Sequence, residues 1–226
     1  FEDVMGEMGN IVQSADDLVD AVVIGRNAYT SREYLEAERE KLWRHHWLQA
    51  GRVEDIPAPG DYITYDILDD SVIITRADDG SIRAFHNVCP HRGRKLIDTP
   101  KGQRNARGNK TNFVCGFHGW TFNREGSCTF IEHQEDWQGA LTAERTSLGK
   151  VAVDSWGGFL WVNLASDAGP LREYLEPAAT MLDPYRLENM RTRWRKWVVF
   201  NCNWKVAMEA FCETYYQFTG TRAQPP

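Results

Sequence analysis

Two short segments constrain this chain of 226 residues more than anything else in it. The first is Cys89-Pro90-His91-Arg92-Gly93; the second, after a gap of 23 residues beyond His91, is Cys115-Gly116-Phe117-His118-Gly119-Trp120. A Cys-x-His and a Cys-x-x-His offer two soft thiolates and two borderline imidazoles. The four come from separate loops, so the fold must bring both loops around one object. Zinc and an iron–sulfur cluster are the candidates, since both accept mixed sulfur and nitrogen donors. Glycines at 93, 116 and 119 are expected to let the backbone approach closely and donate N–H groups to sulfur, a need greater for a cluster than for one zinc ion. Pro90 stiffens the first loop.

Around these loops the pattern is that of short strands. DYITYDI, SVIITR and SIRAFHNV follow one another from Asp61, broken at Asp69-Asp70 and at Asp79-Gly80, which predicts a β meander. GKVAVDSW and GGFLWVNL supply two more strands on either side of Gly157. Ahead of them, residues 30–47 read as a helix, with Thr30 and Glu33 as a capping box and Tyr34, Leu35, Leu42 and Trp43 at helical spacing. ASDAGPL, residues 165–171, reads as a linker. A short helix near 171–182, a strand from Arg191 to Asn201 and a helix from about Asn203 follow. On that last helix Trp204, Met208, Phe211 and Tyr215 share one apolar stripe, away from Glu209 and Glu213. The expected organisation is α+β: an N-terminal helical segment over 1–47, an antiparallel β domain over 48–166 with its site on loops, and the opening strand and helix of a second domain over 167–226.

Composition excludes several classes. At 42% apolar the chain can fill a core. Its aliphatic runs, such as Ala21–Ile24, fall far short of the ~20 residues of a membrane span, so no membrane is expected. The opening FEDVMGEMGN has neither a basic nor an apolar export region, and a chain that starts on Phe1 is expected to be trimmed there. Five cysteines, an odd number, point to a reducing compartment and a cytoplasmic protein. The net charge is −6, yet residues 92–114 hold seven basic side chains (Arg92, Arg94, Lys95, Lys101, Arg104, Arg107, Lys110) against Asp98 alone. That rim reads either as a docking patch for an acidic electron donor or as a solvated insertion. Nucleic acid is not an expected partner, because no aromatics interleave the charges.

AFHNVCPHRG and CGFHGWTFN resemble the Rieske [2Fe-2S] domain of the large (alpha) subunits of Rieske non-haem iron oxygenases, the aromatic ring-hydroxylating family. The resemblance runs from about Trp43 through Tyr215. It implies a Rieske-type β domain with a loop-borne cluster, followed by the start of an α+β catalytic domain. By it, Cys89 and Cys115 hold one iron of a [2Fe-2S] cluster and His91 and His118 the other. Arg94 and Phe117 stand where respiratory-type Rieske proteins carry a disulfide, which favours the oxygenase branch. The implied activity is hydroxylation of an aromatic or polycyclic substrate with O2, using electrons from NAD(P)H through a ferredoxin or flavin reductase, in a homotrimer or alpha3beta3 assembly. The alternative is an electron-transfer-only Rieske protein.

Asn203-Trp204-Lys205 and Glu209-Ala210-Phe211-Cys212-Glu213-Thr214-Tyr215 resemble the opening of that family's catalytic domain. There two His and a distant carboxylate bind mononuclear Fe(II). The resemblance puts Glu213 at the acidic position that bridges the two metal centres. Tyr216 occupies the place of the first iron-binding His, and all six His lie at or before His133. The expectation is a chain that accepts electrons and hydroxylates nothing, because residues are missing near Tyr215 or the product is truncated or frameshifted. Simpler roles are expected elsewhere. His86 should be a hydrogen-bonded structural residue and Cys128, Cys202 and Cys212 buried thiols. His45 and His46 should end a helix, and Trp120 should shield the cluster.

Overall fold

The computed structural model describes residues 24–212. They fall into two compact units, one of residues 42–195 and one combining residues up to 41 with those from 196 onward.

The larger unit is built on ten strands: β1 (Leu48–Arg52), β2 (Asp61–Ile67), β3 (Asp70–Arg76), β4 (Ile82–His86), β5 (Arg107–Asn109), β6 (Phe113–Val114), β7 (Thr121–Phe122), β8 (Cys128–Phe130), β9 (Lys150–Trp156) and β10 (Phe159–Asn163). Seven form one antiparallel sheet in the order β1-β10-β9-β4-β3-β2-β5, and the other three form a small sheet β6-β7-β8. The predicted meander is thus β2, β3 and β4. Its second turn closes with Ala77 donating to the Ser81 carbonyl at 2.9 Å.

The large sheet buries both of its faces, which is why SVIITR is apolar almost throughout rather than alternating. Register places Ile63 opposite Ile74, Ile74 opposite Ala84 and Ala84 opposite Val151. These side chains join Leu48, Ile56, Val72, Leu160 and Val162 in one core. Shifting by one residue turns to the other face: Ile73, paired with Phe85, packs with Phe113, Trp120, Phe122 and both Cys89 and Cys115 in a second core. The second core is the floor of the loop-borne site.

The basic stretch after His91 is not a plain insertion. Its residues Arg107–Asn109 add β5 to the sheet edge, with Gly108 opposite Tyr62. Arg94 pairs with Asp98 at 2.8 Å, Lys95 with Asp66 at 2.9 Å and Arg107 with Asp55 at 3.6 Å.

In the smaller unit, α1 (Asn27–Thr30) and α2 (Arg32–Glu38) replace the single helix expected from residue 30, and a π-helical turn (Arg39–Trp43) follows. Ser31, not Thr30, is the N-cap of α2; its hydroxyl accepts from the Tyr34 N–H at 3.2 Å. Thr30 instead donates to the Arg26 carbonyl, completing α1.

A short α3 (Ala143–Thr146) precedes β9, and α4 (Leu171–Leu175) and α5 (Ala178–Leu182) answer to the predicted helix near 171–182. The strand predicted from Arg191 to Asn201 does not form; residues 191–200 have no regular secondary structure. Alternation alone cannot make a strand: a ladder partner is required, and none pairs with this segment among the described residues. The last predicted helix is present as α6 (Trp204–Cys212), started by Asn203, whose side-chain oxygen accepts from the Lys205 N–H at 3.0 Å. Within the same unit Lys205 meets the buried Glu38 carboxylate at 2.6 Å, and the Trp204 indole donates to that carboxylate at 3.3 Å. Met208 and Phe211 of the predicted stripe are exposed, and Tyr215 lies outside the described residues. Among the described residues no helix is long and apolar enough to cross a membrane.

Candidate metal centre

The two Cys-His loops are hairpins of one design. In the first, Gly93 donates to the Cys89 carbonyl at 2.9 Å and Cys89 donates to the Arg94 carbonyl at 2.8 Å. In the second, Gly119 donates to the Cys115 carbonyl at 3.0 Å and Cys115 donates to the Trp120 carbonyl at 2.8 Å. Each loop therefore closes four and five residues after its cysteine. Gly93 and Gly119 sit at φ +71° and +69°, where a side chain is strained. A Cβ at either would meet no atom within 4 Å, as would one at Gly116. The left-handed turn by itself requires glycine at 93 and 119.

These hairpins bring the four candidate ligands together in two pairs. Cys89 and Cys115 are buried, at 1% and 3% exposure, and pack in the same core cluster. Burial foremost, and the neighbouring Cys115, push the Cys89 thiol up to about 11, against hydrogen bonds from the His91 and Arg92 N–H groups to its sulfur. The His91 and His118 rings are 4.7 Å apart between centroids. Burial, then the proximity of His118 and Arg92, holds the His91 imidazole below its usual pKa, which favours the neutral ring that binds metal. The donors are thus thiols inside and imidazoles towards the surface, His118 being exposed. Among the described residues no three His, Cys, Asp or Glu side chains converge as ligands of a single ion. Two thiols and two imidazoles paired in this way are donors that either zinc or an iron–sulfur cluster accepts.

Trp120 lies in the core and covers one face of His91: it is 5% exposed and stacks on that ring at 4.9 Å with ring planes 5° apart. Asn87, two residues before Cys89, escaped the sequence reading. Its side-chain oxygen accepts from the Leu96 and Ile97 N–H groups at 3.1 and 2.9 Å, and its amide donates to the Ile97 carbonyl at 2.8 Å and to Ser71 at 3.0 Å. It clamps the two arms of the first loop together. Gly126 was missed as well: a Cβ there would overlap the Phe85 ring under the site. Only the polarity of Asn87 inside an apolar stretch and a lone Gly between strands hinted at either.

The other expectations divide. His86 ends β4, its N–H donating to the Gly149 carbonyl at 2.8 Å, with its ring against Gly149. His46 follows the π-helical turn, and burial foremost lowers its pKa. Cys128 is half-buried, but Cys202 and Cys212 are exposed, contrary to the buried thiols expected. Glu213 lies outside the described residues.

Comparison with known proteins bears on this geometry. Residues 46–147 match the Rieske [2Fe-2S] domain. The chain is 34% identical over 188 residues to the glycine betaine monooxygenase oxygenase subunit of Chromohalobacter salexigens, covering 83% of this chain and 40% of that protein. It is 37% identical over 198 residues to the large oxygenase component of the naphthalene 1,2-dioxygenase system of Pseudomonas putida, covering 84% and 42%. Among solved structures, the quaternary ammonium Rieske monooxygenase CntA in complex with L-carnitine aligns over 88% of this chain and 56% of its own, at 26% identity and a TM-score of 0.77. The chain spans less than half the length of these curated relatives, which are oxygenase components of ring-hydroxylating dioxygenases and of monooxygenases. Residues 46–147, which hold both candidate ligand hairpins, thus form a Rieske [2Fe-2S] domain, in a chain whose relatives over about 84% of its length are Rieske oxygenase large subunits.

Proposed function

We propose that Cys89 and Cys115 bind one iron of a [2Fe-2S] cluster and His91 and His118 the other, and that this chain is the electron-accepting part of an oxygenase that hydroxylates an aromatic or polycyclic substrate. The observation that carries the reading is the pairing of two adjacent buried thiols with two adjacent imidazoles at the surface, on hairpins of matching hydrogen-bond pattern. Such a cluster, when bound, accepts and passes one electron at a time at a potential raised by its nitrogen ligands. The chain's own residues do the rest. The Cys89 and Cys115 thiols give up protons on loading, the His91 and Arg92 N–H groups stabilise the Cys89 sulfur, and Trp120 keeps water from one face of His91. His118, exposed, is the edge at which a reductase can approach.

In this reading electrons come from NAD(P)H through a ferredoxin or flavin reductase, guided by the basic rim over 92–114. In the whole protein they pass to mononuclear Fe(II) with Glu213 as the bridge between the centres, in a cytoplasmic homotrimer or alpha3beta3 assembly. The relatives act on substrates as different as naphthalene and glycine betaine by their names, so the aromatic class rests on the dioxygenase side of the family. Residues 167–226 would then be the opening of the catalytic domain.

The ligand set is tested by anaerobic purification and spectroscopy. The protein should be brown, with two nitrogen couplings in pulsed EPR of the reduced state. His91→Cys, where the cluster survives, should drop the midpoint potential out of the roughly −150 to +300 mV range of Rieske centres towards that of all-thiolate ferredoxins. Colourless protein with stoichiometric zinc, or an unchanged midpoint in the variant, would refute the assignment.

A further inference from the structure

The turn from Gln134 to Trp137 is held by two non-glycine residues in the left-handed region, His133 at φ +53° and Gln138 at φ +49°, with Gly139 at φ +79° behind them. Left-handed backbone at residues with a Cβ is strained and persists only where surrounding contacts over-determine it. Little inside the turn repays that strain: residues 132–140 are exposed and no side chain of the turn is buried. What the conformation achieves is to set Trp137, only 40% exposed, against His91, ring centroids 6.0 Å apart and planes at 83°. His91 already lies flat on Trp120. One indole thus faces the imidazole in parallel and a second meets it at a right angle. His118 has no such enclosure: its ring neighbour beyond His91 is Phe117, at 3.8 Å and itself 60% exposed.

We propose that Trp137 is a positioning residue for His91: the strained turn presses its indole against the imidazole so that, with Trp120, it fixes the ring's orientation and excludes water, leaving His118 as the open ligand. The inference rests on the ligand assignment above and deepens it by making the two imidazoles unequal. Ring orientation governs how the nitrogen lone pair meets a bound metal, so loss of Trp137 should alter one nitrogen and spare the other.

The test uses the full chain with its cluster. Wild type, Trp137→Phe, Trp137→Leu and Trp137→Ala are compared by pulsed EPR, reading the two nitrogen couplings and, after exchange into D2O, the deuterium signal near the cluster. Trp137→Ala should shift one coupling, leave the other unchanged and raise the deuterium signal, while Trp137→Phe should keep both couplings at wild-type values. If Trp137→Ala does not fold, Trp137→Leu, which keeps apolar bulk without an aromatic edge, should show the same one-sided shift. Leu or Ala variants with both couplings and the deuterium signal unchanged would overturn the inference while leaving the ligands assigned. A wild type without two nitrogen couplings would overturn the ligand assignment and this inference with it.

Discussion

Asn87 uses both ends of its amide in a place where neither end can reach water, at 2% exposure. Its four hydrogen bonds tie the start of the first ligand hairpin to Leu96, Ile97 and Ser71, so the Cys89 loop cannot open without breaking them. Asn87→Ala would leave buried backbone donors unsatisfied, and unpaired buried groups cost about 1–3 kcal/mol each. The expected outcome is a loss of about 2–4 kcal/mol in denaturant unfolding, with iron content falling in parallel. Unchanged stability with full iron loading would show that the loop closes without the clamp. The contrast with the proposed ligands is instructive. Cys89, His91, Cys115 and His118 stand out as candidates because metal chemistry admits few residue types and the spacing on each loop is short. Asn87 and Gly126 were not, because each answers to a neighbour distant in sequence: Asn87 to Ser71, and Gly126 to the Phe85 ring that fills the place of its Cβ.

Between residues and the whole lie β2 and the basic segment that leans on it. Asp66, near the end of β2, takes hydrogen bonds from Ser71, from Lys95 at 2.9 Å and from Thr99 at 2.8 Å, so that one carboxylate anchors the chain just after the first hairpin. Partial burial pushes the Asp66 carboxyl up, but the hydrogen bonds from Ser71, Lys95 and Thr99 outweigh it and hold it below the usual carboxylate range. A carboxyl whose folded pKa is depressed stabilises the fold fully above its unfolded value of about 3.9, and that share disappears as pH falls through the lower folded value. Asp66→Asn should therefore cost about 1 kcal/mol at pH 7, and the difference from wild type should close as pH falls through the depressed folded value. A gap that persisted in acid would assign the loss to packing rather than charge. At this scale the meander was readable, because three runs of β-branched residues with turns between them fit only a few pairings. β5 was not, since RGN has no strand-like composition and forms only because β2 offers a free edge. The opposite error, a strand at 191–201, came from alternation without a partner. The helix start slipped by one residue because Thr30 and Ser31 are both capping residues, and only the turn before them decides between the two.

Over the whole molecule the charge is divided rather than spread. A chain with net charge −6 concentrates seven basic residues and one acid in the 23 residues between its two ligand hairpins. Three of those cations are engaged within the fold by Asp98, Asp66 and Asp55. Arg92, Lys101, Arg104 and Lys110 are exposed, and among the described residues none has a carboxylate within 4.0 Å, so their field is available to a partner. If an acidic reductase docks there, attraction between exposed charges is screened beyond about 10 Å at 0.1 M ionic strength, and reduction of the cluster by that partner should slow about tenfold or more as salt is raised. Reduction by a small uncharged mediator should hardly change. Reversing Lys101, Arg104 and Lys110 to Glu should reproduce the slow rate at low salt and flatten its salt dependence, without touching the potential. Arg107 is left out of the set because its reversal would oppose Asp55 and disturb β5. Stopped-flow reduction at several ionic strengths decides the matter: the same rate and salt slope in the triple variant as in wild type would make these cations solvated surface and move the docking site elsewhere on the molecule.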